Sequence, residues 1–224
     1  AIDEELTTLY PFRRFKIKQE ETAKRSLSVE ALRTLRDYEC EPHQRKYRDI
    51  FLLTFYLLGI NPIDLFSLTE ILDGRVEYRR SKTGHLFSIK VEPEAQKIIN
   101  RYRGEKHLLD VLDTYQDYKD FTHRMNNNLK SIGTVERKGL GGKKHRAPLF
   151  PKLSIYRARH TWATIAAELD IPDETISMAL GHSSGNRVTN IYINRNRKKV
   201  DDANRKVIDY MLEKTSKEQK APTE

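Results

Sequence analysis

Residues 156–192 read YRARHTWATIAAELDIPDETISMALGHSSGNRVTNIY, and the punctuation of this stretch sets the architecture. Ala158, Trp162, Ile165, Ala166 and Leu169 recur at helical spacing, so a helix with a core-facing stripe is predicted over about 154–169. Pro172 opens a second, short helix and Gly181 closes it. A helical piece near 186–193 follows. A last helix is expected over about 197–214, with Val200, Ala203, Val207 and Met211 as its apolar stripe.

Toward the N-terminus the pattern stays helical with one interruption. Ser28 is placed to cap a helix from about Val29, with Leu32, Leu35 and Tyr38 on one side, and the turn DYECEP ends it. A helix over about 43–58 closes on the apolar run IFLLTFYLL and is expected in the core, with Gly59 as its stop. Pro62 starts the short helix PIDLFSL. RVEYRR and HLFSIKV flank SKTG and predict a two-stranded hairpin. Helices are expected from Pro93 to about Arg103 and from about Tyr115 to Ile132. The Gly/Lys/Arg-rich interval 133–152 reads as a long functional loop. The fold class is therefore mainly α with a small antiparallel β-sheet, an α+β arrangement. Residues 1–25, charged and aperiodic, read as a linker or the frayed end of something removed. Residues 26–214 form the main domain, and 215–224 a disordered tail.

Composition narrows the function. The chain has 224 residues, enough for a real core, and one cysteine, Cys40, which excludes an internal disulfide and a cysteine-rich zinc site. No apolar run is long enough to span a membrane, and a cytoplasmic location is expected. The formal charge is +9. Residues 123–160 hold ten Lys/Arg against the single acid Glu136, so the whole surplus is concentrated there. A basic stretch of this kind points to a polyanionic partner, above all nucleic acid; its plainer reading is a solvated loop.

The opening stretch resembles the catalytic signature of the tyrosine recombinases, the phage-type integrase family. Tyr156-Arg157-Ala158-Arg159 occupies the place of that family's His-x-x-Arg, with His160-Thr161 after it. Leu180-Gly181-His182-Ser183-Ser184 matches its Leu-Gly-His box, and Tyr192 follows His182 by ten residues, in the slot of the nucleophile. Lys82 lies in the turn of the predicted hairpin, where the family places its lysine. The resemblance covers roughly residues 26–214 and implies an integrase catalytic-domain fold acting on double-stranded DNA, with residues 1–25 as the linker from a missing N-terminal DNA-binding domain. It implies a tetramer on DNA and a monomer when free, associated with the bacterial nucleoid.

The implied reaction is attack of Tyr192 on a phosphodiester, leaving a 3′-phosphotyrosyl bond and a free 5′-hydroxyl. Arg159 offers a rigid, always-charged fork for two phosphate oxygens. His182 and Tyr156 can donate to the same phosphate, and Lys82 can protonate the leaving oxygen. Cations take the part that metal ions play elsewhere, so no metal and no cofactor is implied. Two elements depart from the family, besides a His182–Tyr192 interval slightly longer than usual: Tyr156 stands in place of its first His, and where its first arginine stands, in Gly-x-Arg-x-x-Glu-Leu, this chain has Gly59-Ile60-Asn61-Pro62-Ile63-Asp64-Leu65. Asn61 can hydrogen-bond phosphate but carries no charge. The resemblance includes integrases of mobile or conjugative elements that lack this arginine, and Arg80 is the surrogate expected here, with Arg75 and Arg79 as alternatives. Strand alternation would put Arg80 on one face with Lys82. Lys143, Lys144, Arg146 and Arg157 are expected to contact the DNA backbone.

Three other readings compete. A non-catalytic DNA-binding protein derived from this fold would explain Asn61. A type IB topoisomerase-like enzyme shares the chemistry. A plain RNA- or acidic-protein-binding module accounts for the basic segment but not for the ordered motifs. Taken singly, Arg159 would be read as a surface ion-pair partner, Tyr192 as one core tyrosine among 11, and Asp64 as a helix-bracing carboxylate.

Overall fold

The computed structural model describes residues 25–137, 144–181 and 190–213, which form nine helices and two small antiparallel sheets. The first helix, α1 (Val29–Asp37), begins where Ser28 Oγ accepts from Ala31 N–H at 3.2 Å. Helix α2 (Pro42–Tyr56) has proline in its first turn, and its residues Ile50 to Tyr56 are all buried. An apolar surface on every side can be satisfied only at the centre of the domain, which is where α2 lies. The chain leaves it through two left-handed residues, Leu58 (φ 59°) and Gly59 (φ 67°), and enters α3 (Pro62–Phe66).

Strand β1 (Arg75–Arg79) pairs antiparallel with β2 (Leu86–Lys90), Arg75 opposite Lys90 and Arg79 opposite Leu86. Val76 and Ile89 are the buried positions of this hairpin. Helices α4 (Pro93–Arg101), α5 (Val111–Thr114) and α6 (Tyr118–Ser131) follow. The single helix expected from Tyr115 is thus shifted and preceded by a separate turn. Asp117 explains the break, since its carboxylate accepts from Lys119 N–H at 2.9 Å and caps α6 from outside.

The interval expected to be a loop contains a second ribbon, β3 (Gly133–Arg137) paired antiparallel with β4 (Lys144–Pro148), so there are two small sheets rather than one. Gly133 abuts the Ala147 carbonyl, where any Cβ would collide. Lys144-His145-Arg146-Ala147-Pro148 has little intrinsic strand preference, so nothing local marks it as a strand; the pairing comes from tertiary context.

Helix α7 (Tyr156–Glu168) and α8 (Asp173–Leu180) match the expected pair, with Gly181 (φ 65°) as the left-handed cap of α8. The last helix is continuous, α9 (Asn190–Leu212), not two pieces. Its Ala203, Val207, Ile208 and Met211 are buried within the same chain. Asn204 is buried too: it accepts from Trp162 Nε1 and donates to the Tyr56 carbonyl, each at 2.9 Å, linking α9 to α7 and α2. At its far end, Arg33 Nε and Arg36 Nη1 of α1 donate to the Met211 carbonyl at 3.1 and 2.9 Å. These cations complement the negative end of the helix. Among the described residues no helix is long and apolar enough to cross a membrane.

Candidate anion-binding site

The second turn of α7 carries Arg159, which is 9% exposed. It can sit there because the chain it packs against is Gly59: a Cβ at that position would collide with Arg159 Cα. The Arg159 guanidinium donates through Nη1 to the Gly59 carbonyl at 3.2 Å and through Nη2 to the Leu180 carbonyl at the end of α8. Arg80 reaches the same place from the hairpin. Its Nη1 donates to the Leu180 carbonyl at 3.3 Å and the Gly181 carbonyl at 2.9 Å. Gly181 packs its Cα against the ring of Phe87 on β2, leaving no room for a side chain, so the end of α8 lies directly on the hairpin.

Two guanidiniums therefore share one carbonyl in a largely enclosed place, and no carboxylate pairs with either among the described residues. Burial, and then the positive charge of Arg80, disfavour the charged form of Arg159 and pull its pKa below the ordinary arginine value. The C-terminus of α8 offsets roughly half an elementary charge. That leaves more than one positive charge unbalanced, about what a phosphodiester brings. Asn61, at the start of α3 with no capping bond from its side chain, lines the same small pocket, as do Tyr78 and Phe87. Enclosure holds the Tyr78 phenol well above its usual pKa, so it stays a neutral donor. The carbonyls of Gly59, Leu180 and Gly181 hold the acceptor positions that an anion would compete for.

The expected face-sharing of Arg80 and Lys82 is corrected: β1 ends at Arg79, and both residues lie in the hairpin turn. Arg80 is held by one pairing step beyond the strand, its N–H donating to His85 carbonyl at 2.9 Å. Lys82 is exposed at the tip. The tip is tethered by Asp64 of α3, a buried carboxylate whose Oδ1 accepts from Ser81 N–H at 2.9 Å and Ser81 Oγ at 2.6 Å. Asp64 thus braces the residue beside Lys82, a role that Ser81, read as part of a generic turn, did not signal. The other surrogates are engaged elsewhere. Arg75 binds Asp201, and Arg79 Nη1 donates to the Gly84 carbonyl at 3.3 Å.

Tyr156 opens α7 and is 49% exposed, its ring edge-on to His160 at 5.0 Å. His160 Nε2 is buried with no hydrogen-bond partner among the described residues, and burial, followed by the charges of Arg25, Arg159 and Arg157, lowers its pKa. Arg157 is half-buried on the adjacent face. Arg146, expected on the DNA backbone, pairs with Glu41 at 2.7 Å, fastening the β3–β4 ribbon to the start of α2. Lys144 lies in β4. Tyr192 lies in the first turn of α9, and the side chains of both fall outside the described residues, as do His182 and Lys143 altogether. Among the described residues no cluster of His, Cys, Asp and Glu is placed to hold a metal ion. No protein-family model matches the chain, and no curated protein matches it.

Proposed function

We propose that this chain is the catalytic domain of a site-specific DNA recombinase, of the tyrosine recombinase or phage-integrase kind, with that family's catalytic-domain fold. The observation that carries the reading is the meeting of Arg80 and Arg159 at the Leu180 carbonyl without a carboxylate between them. Two like-charged groups, Arg159 buried and Arg80 partly so, repel unless an anion joins them, and the nearby basic segment selects for a polyanion. The pair also answers the missing first arginine: Arg80 supplies the second fork that Asn61 does not.

In this reading one non-bridging oxygen of the scissile phosphate lies between Arg80 and Arg159, and His182 donates to another. The Tyr192 phenol loses its proton to a neighbouring base or water and its oxygen attacks phosphorus. The bond to the 5′-oxygen breaks while Lys82 delivers a proton to it, leaving a 3′-phosphotyrosyl ester and a 5′-hydroxyl. Reversal by a second 5′-hydroxyl rejoins the strands without ATP, because the ester conserves the bond energy. Exchange between two duplexes needs four such sites, so the working form is a tetramer on DNA.

A duplex selected for binding by the protein, nicked so that the cleaved fragment diffuses away, tests the reading. Wild type should become covalently attached and Tyr192→Phe should not. Binding without attachment would instead identify a non-catalytic DNA-binding protein. Relaxation of supercoils by the isolated monomer would identify a type IB topoisomerase-like enzyme.

A further inference from the structure

Arg75 and Glu77 of β1 face α9 and pair with Asp201 and Arg197. The inner rung is bidentate: Arg75 Nη1 reaches Asp201 Oδ2 at 2.7 Å and Nη2 reaches Oδ1 at 3.1 Å. Arg75 is itself held flat by Ser88 on β2, with Nε on the hydroxyl at 2.7 Å and Nη2 on the carbonyl at 3.0 Å. The outer rung, Arg197 to Glu77, spans 3.6 Å. Both carboxylates and both guanidiniums are partly shielded from solvent, the inner pair to about one-fifth exposure.

The spacing of the rungs is the informative feature. Two residues along a strand advance roughly 6.6–6.8 Å. Four residues along a helix advance about 6 Å and return to nearly the same face. The strand step from Arg75 to Glu77 therefore matches the helix step from Asp201 back to Arg197, and the two elements run in opposite chain directions. Followed past the outer rung, the strand leads into the turn that holds Lys82, five residues beyond Glu77. The helix leads to Tyr192, five residues before Arg197. The ladder brings the lysine turn and the tyrosine turn to one end of the domain.

We propose that the Arg75–Asp201 and Glu77–Arg197 ladder is a positioning device that holds the N-terminal part of α9, which carries Tyr192, against the hairpin bearing Arg80 and Lys82. The proposal rests on the reading of Tyr192 as nucleophile. The four residues touch no reacting atom; they set where the phenol lies relative to the phosphate. The hairpin keeps its own anchors, the strand pairing and the Asp64–Ser81 tether, when the ladder is broken. Helix α9 stays anchored from Ala203 to Met211, but its N-terminal part, which carries Tyr192, is then no longer held against the hairpin, and the step that suffers is attack by the phenol rather than protonation of the leaving oxygen.

The test is single-turnover covalent capture at saturating nicked duplex, using two substrates: one with the ordinary 5′-oxygen and one with sulfur at the bridging position, a leaving group that needs no proton. Asp201→Asn should bind DNA within twofold of wild type and react about tenfold more slowly, a loss in the range expected for misplaced reactants. The deficit should be equal on both substrates, whereas that of Lys82→Ala should shrink on the sulfur substrate. Exchanging the charges, Arg75→Asp with Asp201→Arg, should recover most of the rate lost by either change alone. Should Asp201→Asn fail to fold, Glu77→Gln at the outer rung takes its place, with about threefold slower capture expected at an unchanged melting temperature. Wild-type rates in the folded variant, relief of its deficit by sulfur, or no recovery on exchange would each overturn the ladder's role. Failure of wild type to form any adduct would remove the Tyr192 reading and the ladder with it, a result distinct from the other three.

Discussion

At the scale of single residues the account turns on which side chains hold charge without a counter-charge. Arg80→Ala should abolish detectable covalent capture while the protein still binds duplex, because one guanidinium cannot balance the equatorial oxygens alone. Arg80→Lys should retain a small fraction, since an ammonium keeps the charge but not the fork. Arg80 was legible only in part. Alternation along an extended strand pointed to it, yet the strand ends one residue earlier, and Arg80 reaches the site through the turn. His160 makes a prediction of a different kind. Its pKa is lowered in the folded state, so folding leaves it with fewer bound protons than the unfolded chain has. The stability it lends is present above the unfolded value of 6.5 and is lost as pH falls from there through the lower folded value. Urea melts at pH 7.5 and pH 5.5 should show a smaller acid-side loss for His160→Gln than for wild type.

At the scale of elements, α1 and the helices of residues 156–181 followed directly from periodicity and punctuation, because the residues that bound them are local signals: Ser28 for α1, and Pro172 and Gly181 for α8. The β3–β4 ribbon was not legible, since Lys144–Pro148 is a strand only by virtue of its partner and of the close approach at Gly133. Nor was the continuity of α9, where the polar run through Arg195–Lys199 interrupts the apolar stripe without interrupting the backbone. The Asp64 tether joins α3 to the hairpin across 17 residues, a pairing no local pattern announces. Asp64→Ala should lower stability by about 1–3 kcal/mol in denaturant melts, from the loss of two bonds to a buried acceptor. It should slow capture more than it weakens DNA binding. Asn204→Leu should also destabilise by about 1–3 kcal/mol, because Trp162 Nε1 and the Tyr56 carbonyl are left unpaired in the core.

At the scale of the whole molecule, helices gathered around α2 bring Gly59, Arg80, Arg159 and the end of α8 to one place, although Gly59 and Leu180 lie 121 residues apart in the chain. The charge surplus of residues 123–160 was legible as a total but not in its division of labour. Arg146 also pairs with Glu41, so Arg146→Ala should lower the salt dependence of duplex binding less than loss of an unpaired lysine does. Lys143→Ala should weaken binding across sequences and reduce the slope of log affinity against log salt by about one. The claim from which the rest follows is that the phenol of residue 192 forms the bond to DNA. The protein trapped on a nicked duplex, digested with trypsin and nuclease, reports this directly by mass. The account predicts a nucleotide adduct on the peptide spanning 188–195, which contains Tyr192 as its only tyrosine. An adduct on any other peptide, or none from a duplex that is demonstrably bound, would contradict it.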